Sequence, residues 1–306
     1  MHRYKAFGEK KMILKLKRIL FVVFILVTTS SCYYSAQKPH FQTQRMSPIK
    51  LIDIDRVMNT TPDWAYDFEQ GWNSEYGKGG LRNKTLKVQR WRYAQMQSDD
   101  AGVTILDPKN KHNHVMKFLW LKNGGKEFDV NTQKKAHLYG NFGKDNKQEE
   151  VWSFNVYFPT TGMEADNKSE IVIQWHAQPD QYEVTRNPPL ALDNRNDQLT
   201  LTWLYDQRGI TPPGFDRWYS QTAELGETTK DKWINLVFHI KWDPYGSGVL
   251  RVWRDGQLKV QQQNIAIGFN DKIGAYLGFG IYKFENDSQH KQRTILFDEV
   301  KQWLVK

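Results

Sequence analysis

The chain has 306 residues, a formal net charge of +9, a mean hydropathy of −0.70 and 14% aromatic residues, 12 of them tryptophan. That length suffices for one large β domain or two small ones with a substantial core. A single cysteine excludes an intrachain disulfide, and the placement of the charge excludes a nucleic-acid footprint.

Residues 1 to 18 hold seven basic residues against Glu9, so they supply +6 of the charge and leave +3 on the remainder. Behind them runs "ILFVVFILV", Ile19 to Val27, followed by "TTSSC". A basic region, a short apolar run and small residues form a secretory leader, and Met12 begins a stretch that is complete as a leader by itself. The run is too short to span a bilayer comfortably. Cys32 directly follows, an arrangement that resembles a bacterial lipoprotein lipobox with Thr29 in the place usually held by a leucine-like residue. The expectation is an exported protein anchored through lipidated Cys32 to the bacterial envelope at the outer membrane. Residues 33–62 are polar and aperiodic and read as a flexible tether, leaving 63–306 as the folded domain.

From Trp64 onward the pattern is β. "HVMKFLWL", "TQKKAHLYG", "EVWSFNVYFP", "SEIVIQWHA", "QLTLTWLY", "WINLVFHIKW", "GVLRVWRDGQLKVQ", "AYLGFGIYKF" and "RTILFDEVKQWLV" follow one another, most with period-two alternation and turn residues between them. "WRDGQL" carries an Asp-Gly hairpin signal. No helical pattern of any length is visible after the leader, and no repeat. The fold class expected is all-β, a jelly roll or sandwich of two packed antiparallel sheets, monomeric.

Three strands bear unusual faces. In "SEIVIQWHA", strict alternation puts Glu170, Val172, Gln174 and His176 opposite Ile171, Ile173 and Trp175. Lys135, His137 and Tyr139 share a face, as do Tyr276, Gly278, Gly280 and Tyr282, where the glycines are expected to clear space for a ligand. Glutamine, histidine and tyrosine together suit β-elimination on a uronic-acid polymer. The proton α to a carboxylate is a very weak acid until donors such as a glutamine amide or an imidazole N–H neutralise the carboxylate. A tyrosine with a lowered pKa then serves as base and acid, and Lys135 and the histidines are candidates for that lowering.

"IVIQWHAQPD", "NPPLAL", "WINLVFHIKWDPYGSGVLRVWRDGQL" and "YLGFGIY" resemble the polysaccharide lyases of the heparin lyase I and glucuronan lyase type, and more distantly the alginate lyases, over about residues 64 to 306. The resemblance implies a jelly roll with a concave catalytic face, Tyr282 as base and acid, and Gln174 neutralising the carboxylate. His137 falls where a groove histidine is expected, and His176 lies beside Gln174. Two positions depart from the alginate-lyase pattern: Gly278 stands where a lysine is usual, and "KAHL" replaces R-x-E-L. The first removes a cation expected to hold substrate, and the second changes the charge beside the scissile bond.

Lys135, Tyr139 and Tyr276 are further substrate contacts in this reading, and Arg186 and Asn187 are loop residues placed to reach a sugar carboxylate. His112 and His114 in "KHNHV" read as a turn rather than a metal pair. The elimination needs no cofactor. Jelly rolls of this kind often hold one structural calcium ion, for which Glu69 and Asp298 are residues of the right type. The partner expected is an anionic polysaccharide. A non-catalytic carbohydrate-binding lipoprotein on the same fold is the alternative. Glycoside hydrolysis, which wants two flanking carboxylates, fits less well.

Overall fold

The computed structural model describes residues 51–69, 91–123, 133–140, 149–211, 219–284 and 288–305. The leader, Cys32 and the first part of the expected tether lie outside them.

Among the described residues fifteen strands follow in chain order: β1 (Trp64–Tyr66), β2 (Trp91–Met96), β3 (Gly102–Leu106), β4 (His114–Leu121), β5 (Gln133–Gly140), β6 (Glu149–Tyr157), β7 (Glu170–Gln178), β8 (Leu190–Arg195), β9 (Gln198–Tyr205), β10 (Tyr219–Glu227), β11 (Trp233–Lys241), β12 (Asp243–Arg254), β13 (Gln257–Ile267), β14 (Ile273–Phe284) and β15 (Gln292–Leu304). They form two antiparallel sheets. Sheet A runs β13-β12-β11-β6-β15-β4-β3, with β1 also on β15, and sheet B runs β10-β9-β8-β7-β14-β5-β2. The jelly-roll sandwich expected from the alternation is what the chain forms. The Asp-Gly signal holds as well: Asp255 (φ 50°) and Gly256 (φ 75°) join β12 to β13, the two positive φ values a tight hairpin needs.

The core lies between the sheets and is built of large rings. Trp120, Trp152, Trp175 and Trp203 are fully buried there, with Phe118, Phe154, Phe238, Phe279 and Phe297. They meet mostly edge to face, as in Phe154–Trp175 at 6.2 Å and Phe118–Phe279 at 5.6 Å. Among the described residues, most of the tryptophans pack the sandwich.

The tether expectation needs correction at its C-terminal end. Residues 51–62 belong to the folded body and include a short helix, α1 (Ile54–Met58), capped by the Asp53 carboxylate on the Arg56 N–H. Ile54 packs with Val151, Val237 and Trp303 on sheet A. Arg251 donates to the Ile52 carbonyl at 2.8 Å and Trp303 Nε1 to the Thr60 carbonyl at 3.1 Å. Five helical residues are too few to leave a periodicity in the sequence.

Candidate active site

The face of sheet B turned away from the core gathers most of the residues singled out above. On β5, Ala136 and Leu138 point into the core, so Lys135, His137 and Tyr139 point out. On β14, Leu277, Phe279 and Ile281 are core residues, so Tyr276, Gly278, Gly280 and Tyr282 point out. Register aligns the two sets: Tyr139 opposite Gly278, His137 opposite Gly280, Lys135 opposite Tyr282. On the other flank of β14, Gln174 pairs with Gly278 and His176 with Tyr276.

The rings form a continuous run. His176 stacks on Tyr276 (5.3 Å between centroids), Tyr276 meets Tyr139 (5.9 Å), Tyr139 meets His137 (5.2 Å), and His137 meets Tyr282 (6.4 Å). The Lys135 ammonium lies 4.5 Å from the centre of the Tyr282 ring, a cation–π contact. The glycines serve this run rather than opening the backbone to a ligand, which corrects the expectation. A Cβ on Gly278 would sit 2.7 Å from Tyr139 Cε1, and one on Gly280 (φ 128°) would overlap the Ala136 carbonyl oxygen. Tyr139 occupies the space that a lysine at 278 would need.

His137 is fully buried, and neither ring nitrogen has a properly directed hydrogen bond. Burial, and after it the Lys135 ammonium, hold its pKa well below the usual imidazole value; the Ile171 main chain acts weakly in the opposite sense. The ring is therefore neutral at physiological pH, with one N–H to give and one lone pair to take. Gln174 is 1% exposed and its Oε1 also lacks a partner. His176 is half-buried with Nδ1 on the Ala177 carbonyl at 2.8 Å.

Two residues of this site escape the sequence. Gln95 on β2 pairs with His137, and its Oε1 is buried without a partner. A polar amide inside the strand "WRYAQM" was the available signal, as for Gln174, but only the pairing of β2 with β5 brings it to the histidine. The other is Asp193 on β8, which lies outward between buried Leu192 and Asn194. It pairs with Ile171, which pairs with Tyr282. Ser169 Oγ donates to it at 2.9 Å, yet burial lifts its pKa to about 6.

Strict alternation along β7 fails. A bulge at Val172 lets Val172 and Ile173 both enter the core, so the side chains before it change faces. Ile171 is the residue beside Tyr282. Glu170, expected on the presented face, is buried on the other side and held by Arg293 through two bonds of 2.8 Å.

Arg186 also departs from expectation. It is 3% exposed, ion-paired with Glu183 and Asp271, and stacked on Phe269, so it is not available to a sugar carboxylate. Asn187 is exposed in the same loop. The calcium pair has other employment: Glu69 accepts from the His114 N–H and contacts its Nδ1, and Asp298 accepts from Asn113 and the Glu299 N–H. Among the described residues no group of three or more His, Cys, Asp or Glu could hold a metal ion.

The chain matches a family model described as polysaccharide lyase over residues 68–301. A comparison with curated proteins returns no match. Among solved structures, an endo-β-1,4-glucuronan lyase from the fungus Trichoderma reesei is 17% identical, with a TM-score of 0.62 over 80% of this chain and 96% of the other. An alginate lyase of polysaccharide lyase family 7 is 13% identical, with a TM-score of 0.47 over 68% of this chain and 85% of its own. One from Klebsiella pneumoniae is 11% identical, with a TM-score of 0.45 over 66% and 84%. The first of these shares the fold, and the other two are more distant.

Proposed function

The chain belongs to the polysaccharide lyase family, whose model it matches over most of its length, and from that premise we propose that the outer face of sheet B cleaves a uronate-containing polysaccharide by β-elimination. The observation that carries this is His137. It is a buried neutral imidazole with both nitrogens unsatisfied, paired in register with Gln95 and in ring contact with Tyr282. Groups buried without partners are costly, and their concentration at one place marks where a ligand completes them.

In this reading the sugar carboxylate accepts hydrogen bonds from His137 N–H and from the amide N–H groups of Gln174 and Gln95, whose unpartnered Oε1 atoms accept from sugar hydroxyls. Those donors stabilise the charge that builds on the carboxylate oxygens once the α-proton leaves. Tyr282, as phenolate, takes the C5 proton, and the Lys135 ammonium beside its ring favours the anionic oxygen. The C5 electron pair forms the C4–C5 double bond as the C4–O bond breaks. The tyrosine then returns its proton to the departing glycosidic oxygen. No water is consumed. The uronate substrate is supported by the elimination chemistry and by the glucuronan lyase that shares the fold.

Digestion of glucuronan or alginate in ¹⁸O-labelled water tests it. Elimination leaves an ultraviolet-absorbing unsaturated end and, in incubations short enough to limit exchange at the anomeric hydroxyl, no solvent oxygen in the product. A saturated, labelled end would contradict it.

A further inference from the structure

Three segments meet at the end of sheet B where His176 and Tyr276 stand: 179–189 after β7, 206–211 after β9, and 268–272 before β14. Their described parts are locked together from within. Glu183 accepts from the Thr211 N–H at 2.9 Å and from Arg186 at 3.1 Å, Thr211 Oγ1 donates to Asp206 at 2.9 Å, and Asp180 accepts from the Lys272 N–H at 3.1 Å. Arg186 pairs with Asp271 as well, and the side chains of Arg186, Glu183 and Asp271 are each at most 2% exposed. Burying so many charges in surface loops is a costly way to gain stability, and what it secures is a fixed shape.

That shape presents apolar side chains to water. Tyr182 is 77% exposed, Ile210 57% and Ile273 50%, and each adjoins a residue of the tie: Glu183, Thr211 and Lys272. Tyr182 also holds φ at 72°, a conformation that costs a tyrosine energy and persists where the surroundings impose it. Ile273 pairs with Gln178, four residues beyond Gln174 on β7 and about 13 Å along the strand. The patch therefore continues the outer face of sheet B past the catalytic cluster. A rigid exposed tyrosine flanked by aliphatic groups suits the apolar face of a sugar ring.

We propose that Tyr182, with Ile273 and Ile210, is a sugar-stacking subsite that holds the polysaccharide beyond the cleavage position, with Arg186, Glu183 and Asp271 as its positioning residues. It rests on the reading of sheet B as a polysaccharide-binding face. The test uses the whole domain, with retardation in gels containing β-1,4-glucuronan or alginate to measure binding and product absorbance to measure turnover. Tyr182→Ala is expected to lose at least five-fold in polymer affinity and to raise KM by a similar factor with kcat unchanged, while trisaccharide kinetics stay as in wild type. Tyr182→Phe should match wild type, and Tyr182→Gly should bind as poorly as Tyr182→Ala while raising Tm, since glycine relieves the positive φ. Full affinity and KM in Tyr182→Ala, or a wild type retarded by neither polymer, would overturn the subsite. A wild type that is retarded but yields no product would overturn the lyase reading alone.

Discussion

Gln174 shows how far single residues carried the reading. An amide in the middle of a strand signalled an outward polar site, and it stands there with His137, Tyr139, Tyr276 and Tyr282. Arg186 could not be read the same way. Its carboxylate partners, Glu183 and Asp271, are loop residues, the second 85 positions away, and no pattern in the sequence announces that pairing. Asp193 was invisible for the same reason and makes the clearest prediction at this scale. Its pKa stands at about 6 in the fold against an ordinary 3.8. A raised carboxyl pKa favours the folded state while the group is protonated, and that advantage is lost as pH rises through about 6. Asp193→Asn should therefore raise Tm above pH 6, by an amount corresponding to at most about 3 kcal/mol, and have little effect near pH 4. Thermal melts across that range check it, and an equal Tm change at both ends would contradict the burial argument.

Alternation located the strands well, because a half-buried strand must alternate; it misjudged β7, because a bulge changes faces without changing composition. The bulge at Val172 is anchored from below. Glu170 enters the sandwich and meets Arg293, Lys283 at 4.0 Å, and Asn194 at 2.8 Å. Lys283 is also tied to Asp166 at 3.4 Å. The neighbours of Tyr282 thus depend on a buried ionic cluster directly beneath them. Removing Glu170 would leave buried Arg293 without its paired carboxylate and Lys283 with Asp166 alone. Glu170→Ala is expected to cost about 3–5 kcal/mol in denaturant unfolding, with Glu170→Gln costing less because it keeps hydrogen bonds to Arg293. A loss below about 1 kcal/mol for the alanine variant would show that the cluster does not anchor the bulge.

At the scale of the molecule, two sheets enclose a core of rings packed mostly edge to face, and the proposed chemistry sits on the far side of one of them. Fold class was legible because it follows from period-two alternation and turn residues repeated along the whole chain. The site was legible only strand by strand. Gln95 and His137 become one unit through the register of β2 on β5, a long-range pairing that local sequence does not specify. The same limit hid residues 51–62, whose attachment to sheet A rests on partners about 90 to 250 positions distant. The central claim remains that Tyr282 moves the proton while its buried neighbours hold the carboxylate. It is tested most directly by following the unsaturated product from a panel of acidic polysaccharides with the wild-type domain and Tyr282→Phe. The account predicts product from the wild type on at least one polymer and a loss of at least 10²-fold in kcat for the variant, with polymer affinity retained. A variant that turns over at the wild-type rate would contradict it.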